Sequence, residues 1–212
     1  MEATLDPLNP NQGLVLDLAA SKPGRQAEIV REQYKMLTDP NRRPQDYYRA
    51  FVAGAKAAAA DAQPERVLDA VVAKVVGTPK ARHYRALSDG FLGAWDRDST
   101  LVPVHSTIFA LNTVGMRVNP QLGVRDAAGD LSAVFLYLKD APLSKDVAQP
   151  ILFAMNEVMS AVLPTARPRI LVVRSGEYLD IDKRTTPRSQ TLRIAGLLGQ
   201  WTAMWAEIAK AA

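Results

Sequence analysis

The sequence predicts an α+β protein in which a helical N-terminal half packs on a small, mostly antiparallel sheet with two covering helices. Two observations predict this class. Between residues 25 and 95, apolar side chains recur at the three- and four-residue spacing of amphipathic helices. After Trp95 the pattern changes to strand pairs that alternate with helices, which is typical of a sheet covered by helices. The 212 residues, 48% of them hydrophobic, suffice for one good-sized core or two small ones.

Three regions are expected along the chain. An N-terminal arm covers residues 1–24, where Pro7, Pro10 and Pro23 interrupt regular structure. Its apolar stretch at 14–18 is expected to dock on the body as a strand or a single turn. A helical region at 25–98 and an α+β region at 99–212 follow, either as separate domains or as one compact domain.

Helical spacing predicts helices at 25–37, 44–62, 64–76 and 78–95. Pro40 ends the first of them. Pro44 suits the first turn of the second, because its missing N–H has no partner to lose there. Gly77 ends the third helix, and Thr78 can cap the fourth.

The α+β region begins with a segment, 100–115, that is ambiguous between a strand and a short helix. Residues 116–125 and 131–139 then form a predicted hairpin around the turn at 127–130. Both sides of the second strand are apolar until Lys139, which predicts a central position in the sheet.

A helix is predicted at 144–163, but Pro150 would sit badly in its interior, so we expect its regular part to begin nearer that residue. A second hairpin joins strands at 169–173 and 177–181. The last helix, at 187–210, carries a ridge of small residues that would permit close approach of another element. These small residues are Gly196, Gly199 and Ala203.

Composition excludes several kinds of chemistry. The chain has no cysteine and only two histidines, His83 and His105, so it has no Cys nucleophile, disulfide framework or Cys/His zinc cluster. It has no Walker loop, no GxGxxG and no GxSxG motif, and we predict no cofactor and no metal. The N-terminal residues lack the features of a secretory signal, and no apolar run is long enough to span a bilayer. We therefore expect a soluble, cytoplasmic and bacterial protein that does not contact a membrane.

Two alternating carboxylates, Asp180 and Asp182, are the candidate catalytic residues. They would face the same side of a strand and could bind Mg²⁺ or Mn²⁺, with Lys139 as an electrostatic helper. This pattern gives the alternative hypothesis of a metal-dependent hydrolase or nuclease. An edge strand whose polar face points to water would show the same alternation.

A hairpin followed by a helix and a strand loosely resembles the core of restriction-endonuclease-like nucleases. That resemblance implies one acid, and a second acid two residues before a lysine. Here Lys139 is present, but Tyr137 occupies the second acidic position. The departure removes a metal ligand, and the resemblance covers only the C-terminal half, so we do not assign the chain to that family.

Basic residues give the leading hypothesis. The formal net charge is only +4, but residues 70–88 contain no acid, and residues 167–193 form a second, arginine-rich run. The candidate binding residues are Lys80, Arg82, Arg85, Arg184 and Arg188. If the two runs share a face, they could bind an acidic protein or nucleic acid. We expect a non-enzymatic binding or regulatory protein that acts on another macromolecule and that forms a homo-oligomer. A DNA-binding regulator using the helical half is a further alternative, and the sequence does not decide whether the protein is an enzyme.

Overall fold

The computed structural model describes residues 9–39 and 47–212. The predicted α+β class is confirmed. Within the described residues the helices are α1 (Gln12–Ala20), α2 (Gln26–Thr38), α3 (Arg49–Ala59), α4 (Pro64–Ala73), α5 (Lys80–Ala94), α6 (Lys145–Glu157), α7 (Met159–Val162) and α8 (Pro187–Lys210). The strands are β1 (Thr100–Val102), β2 (Thr107–Leu111), β3 (Val114–Val118), β4 (Leu122–Arg125), β5 (Leu131–Tyr137), β6 (Arg167–Val172) and β7 (Glu177–Leu179).

Five strands form a mixed sheet in the order β1-β4-β5-β6-β7. Only β5 and β6 are parallel, because α6 and α7 carry the chain from the end of one to the start of the other. The predicted hairpin turns are present at Gly129 and Gly176, both of which adopt positive φ. The sequence of hairpin, helix and strand therefore occurs, with β5 at the centre as predicted.

The alternation predicted for β5 separates two hydrophobic cores. Phe135 and Tyr137 point into the core shared with α1, α6 and α8. Val134 and Leu136 point into the core under α3, α4 and α5. The sheet is thus covered on both faces, which explains why this strand is apolar on both sides.

Helix α5 lies against the turn that joins β6 to β7. A Cβ atom added to Gly90 would come within 1.9 Å of the carbonyl oxygen of Val173. Only glycine allows this close approach, which brings the N-terminal turns of α5 to the ends of β5 and β6.

The apolar stretch at 14–18 does dock on the body, but as part of helix α1 rather than as a strand or a single turn. Asn11 caps this helix by accepting a hydrogen bond from the backbone N–H of Leu14, and Val15 and Leu16 are fully buried. A helix that is apolar on most sides gives no amphipathic pattern, so its spacing could not distinguish it from a strand. The rest of the predicted arm, residues 1–8, and the predicted helix start at Pro44 lie outside the described residues.

Two further expectations were wrong. Residues 116–125 are two strands, because β3 pairs with β2 in a separate ribbon and only β4 pairs with β5. Helix α6 begins at Lys145, capped by Ser144, and it contains Pro150 in its interior; it ends before Val158. The carbonyl of Asp146, to which Pro150 cannot donate, instead accepts a hydrogen bond from Arg193 at 2.9 Å.

Candidate functional site

The carboxyl ends of β5 and β6 lie side by side at one edge of the sheet. The N–H of Val173 donates to the carbonyl of Tyr137 at 3.0 Å, which fixes this register. Lys139 and Asp140 therefore leave β5 next to the place where Arg174 leaves β6. We call this the carboxyl edge, and it is the edge at which open α/β sheets commonly bind ligands.

An arginine, an aspartate and a histidine meet at the carboxyl edge. Nη2 of Arg174 lies 2.8 Å from Oδ1 of Asp140 and 2.9 Å from Nδ1 of His83. The same histidine nitrogen lies 3.2 Å from Oδ2 of Asp140. Arginine only donates, so a hydrogen bond between Arg174 and His83 requires the tautomer with no proton on Nδ1, whereas one to Asp140 requires a proton there. These contacts hold the largely buried guanidinium in place between α5 and the sheet.

Two tyrosines and a lysine extend this group toward α3. The Tyr47 ring lies 6.1 Å from the His83 ring and 4.8 Å from the Tyr48 ring, and Nζ of Lys80 lies 4.9 Å from the Tyr47 centroid. Burial raises the pKa of Tyr48, and the charge and hydrogen bond of Arg174 oppose this rise only in part. We call this set the tyrosine–arginine cluster: Tyr47, Tyr48, Lys80, His83, Asp140 and Arg174.

A cleft of about 780 Å³ opens on the other side of Tyr137, between α1, α2 and the end of β5. Inside it, Nζ of Lys139 lies 2.5 Å from Oδ2 of Asp17. Burial raises the pKa of Asp17 more than the attraction and hydrogen bond of Lys139 lower it. Burial, with the charges of Asp17 and Tyr48 nearby, raises the pKa of Tyr137 to about 12. We call this the α1–α2 cleft.

The five candidate binding residues do not form one surface. Lys80 belongs to the tyrosine–arginine cluster. Arg82 and Arg85 lie on the outer face of α5, where Arg85 pairs with Asp69 at 2.7 Å. Arg184 and Arg188 follow β7 and enter α8, in the layer that covers the opposite face of the sheet. The two basic runs nevertheless touch, at the contact between Arg174 and His83.

The candidate catalytic residues are not brought together. Strand β7 ends at Leu179, before both aspartates. Asp180 forms a two-pronged ion pair with Arg169, at 2.8 and 3.2 Å. Asp182 accepts from the N–H of Arg184 and so stabilises a turn. Lys139 pairs with Asp17 instead of either of them. Within residues 9–39 and 47–212, no group of three or more His, Asp or Glu side chains is arranged to hold a metal ion.

Sequence reasoning missed Asp17, Asp140, Tyr137 and the structural use of His83. One available signal was the spacing of Tyr137 and Lys139, because residues two apart at a strand end share a face. The contribution of Asp17 from a separate helix had no local signal.

No protein-family model and no curated protein matches the chain. In the described part of the chain, no helix is both long and apolar enough to cross a membrane.

Proposed function

We propose that the protein binds nucleic acid, without transforming it, through the tyrosine–arginine cluster. The observation that carries this proposal is the contact of Arg174 with His83, because it brings the two basic runs of the sequence to one place. Lys80 stands next to that contact, over the ring of Tyr47. Phosphate groups are the anions that such a set of lysine and arginine side chains recognises.

The tyrosines favour nucleic acid over an acidic protein. Tyr47 is half-buried and its ring stands beside Lys80, so the exposed part of the ring can contact a base. Base stacking on aromatic rings next to a positively charged groove is the usual way in which proteins hold single strands. We therefore expect single-stranded nucleic acid to bind more tightly than a duplex.

A second surface supports the alternative of a DNA-binding regulator. Arg82 is exposed on α5 and makes no hydrogen bond or ion pair with the part of the chain that the structure describes. Together with Arg85 it would face the phosphates of a duplex laid against the helical layer. This surface contains no aromatic residue, so it predicts no preference for single strands.

Fluorescence anisotropy with a labelled single strand and its duplex tests the proposal. Lys80→Ala should weaken single-strand binding about fivefold, because one phosphate contact is lost. The matched control is Arg125→Ala, which removes an exposed positive charge at the opposite edge of the sheet and should leave affinity unchanged. If Arg82→Ala weakens binding and Lys80→Ala does not, the outer face of α5 is the interface and the proposal is wrong.

The proposal includes a cytoplasmic location in a bacterial cell, where a nucleic-acid-binding protein meets its ligand. It also includes self-association through α8. The outer ridge of α8 supports self-association, since Leu192 is 67% exposed and added Cβ atoms at Gly196 and Gly199 would meet nothing within 4 Å. Light scattering after size exclusion, with Leu192→Glu as the disrupting variant, would show whether a dimer exists.

A further inference from the structure

We infer that the α1–α2 cleft is a binding site for a nucleotide, with a phosphate group held by lysines and a ring held by apolar side chains. This inference stands apart from the nucleic-acid proposal, because the residues that line the cleft differ from those of the tyrosine–arginine cluster. Its volume of about 780 Å³ falls in the range of small-ligand sites, about 300–1,000 Å³.

The first observation is a hydroxyl group on the wall of the cleft. Tyr137 lines the cleft and is only 4% exposed as a residue, and its hydroxyl makes no hydrogen bond within the described ranges. Solvent reaches this hydroxyl, so it is not an orphaned buried group. It can therefore donate to an acceptor on a ligand in the cleft.

The second observation is the charge of the cleft. Lys22, Lys35 and Lys139 line it, and the first two make no ion pair within residues 9–39 and 47–212. The acids that line it are Asp17, already paired with Lys139, and Glu32. The unpaired ammonium groups at the rim suit a phosphate, which carries more than one negative charge at neutral pH.

The third observation is the apolar part of the lining. Leu14, Ile29 and Met36 provide an apolar wall, and the largely buried carboxylate of Asp17 stands beside it. A planar base fits such a wall, and its N–H groups can donate to the carboxylate. A nucleotide thus matches the cleft at three points: the phosphate at a lysine of the rim, the ring at the apolar wall, and an N–H donor at Asp17.

Isothermal titration with AMP, GMP and inorganic phosphate tests the inference on the full chain. We expect at least one nucleotide to bind with a Kd at or below about 1 mM, and phosphate alone to bind at least tenfold more weakly. Tyr137→Phe should weaken nucleotide binding about tenfold while leaving the fold intact, since the Tyr137 hydroxyl makes no hydrogen bond within the described residues.

Substitution of exposed lysines gives an independent test of nucleotide binding. The double variant Lys22→Ala/Lys35→Ala should weaken nucleotide binding about tenfold or more. The control Lys74→Ala/Lys183→Ala removes the same charge from exposed positions elsewhere and should bind as the wild type does. Lys80→Ala should also leave AMP binding unchanged, which separates this site from the tyrosine–arginine cluster.

The nucleotide has two sources, a free mononucleotide or the phosphorylated end of a strand. A 5′-phosphorylated oligonucleotide, compared with its unphosphorylated form, distinguishes them. If Tyr137→Phe and Lys22→Ala/Lys35→Ala both weaken the binding of AMP, the site takes a free mononucleotide. If they weaken the binding of the phosphorylated strand instead, the site takes the end of a strand. The inference is overturned if neither ligand depends on these residues, or if inorganic phosphate binds as tightly as the nucleotides.

Discussion

Replacing Lys139 by methionine should destabilise the protein, because the substitution leaves the carboxylate of Asp17 in a buried position without its partner. The Asp17 side chain is 15% exposed and that of Lys139 is 49% exposed, so the acid depends on the pair more than the lysine does. A buried charge that has lost its partner is much more costly than an exposed one.

The magnitude follows from the geometry of the pair. At 2.5 Å between Nζ and Oδ2, the attraction is about 1.7 kcal/mol in water and about 6.6 kcal/mol at an effective dielectric constant of 20. Ordering the half-exposed lysine offsets about 1–2 kcal/mol of this attraction. We expect a loss of about 2 kcal/mol in the free energy of unfolding, between the values of exposed and buried pairs.

The loss should depend on pH in one direction. Burial holds the pKa of Asp17 above its ordinary value of 3.8, and Lys139 opposes this rise. A raised acid pKa means that the folded state favours the protonated form, so the stability that Asp17 contributes is present in acid and is lost as pH rises through the folded pKa. Without Lys139 the pKa rises further, and the destabilisation appears as pH increases and disappears in acid.

Urea unfolding of both proteins between acidic and neutral pH measures this difference. Lys145→Met is the control, because it breaks an exposed ion pair to Glu177 and should change stability by less than about 0.5 kcal/mol at every pH. The reasoning is refuted if Lys139→Met is as stable as the wild type at neutral pH, or if its loss is the same in acid.

Two other substitutions test the packing that positions the site. Gly90→Ala should destabilise the fold by about 2–4 kcal/mol in urea unfolding, because the new methyl group would overlap a backbone carbonyl after β6. The control is Gly93→Ala on the same helix. Its methyl group meets nothing within 4 Å, so it should stabilise the fold by up to about 1 kcal/mol. Arg193→Ala should cost about 1–2 kcal/mol, because it leaves the carbonyl and carboxylate of Asp146 without their partner. Arg188→Ala, five residues earlier in α8, should cost less than about 0.5 kcal/mol, and equal losses for the two arginines would contradict the role given to Arg193.

The centre of the sheet was predictable because its strands carry local patterns, whereas β1 and β2 were left ambiguous and β3 and β4 were predicted as one strand. The two apolar faces of β5 predicted its central position, and the glycines at 129 and 176 predicted both hairpin turns. These signals are local, since each depends on residues that are neighbours in sequence.

Other features depend on residues far apart in sequence. Pro150 was expected to delay the start of α6, but Arg193, 47 residues beyond Asp146, supplies the hydrogen bond that the proline cannot make. In the same way, Asp17 reaches Lys139 across 122 residues. No local pattern predicts such distant partners. The sequence therefore predicted the strand end that carries Lys139 but not the cleft around it.

The candidate site was predicted only in part for the same reason. The sequence identified two basic runs. The residues at which these runs meet, Arg174 and His83, are 91 residues apart along the chain, so no local pattern predicts their contact. Lys80 lies at that point, whereas Arg184 and Arg188 lie in the opposite layer because β7 and α8 carry them there.

The most direct test of the central proposal is the salt dependence of single-strand binding. Log affinity should fall linearly with log salt concentration between about 50 and 200 mM, and Lys80→Ala should reduce the slope by about one while Arg125→Ala leaves it unchanged. Absence of binding at the lower salt concentration, or the same slope for wild type and Lys80→Ala, would contradict the proposal that the tyrosine–arginine cluster binds nucleic acid.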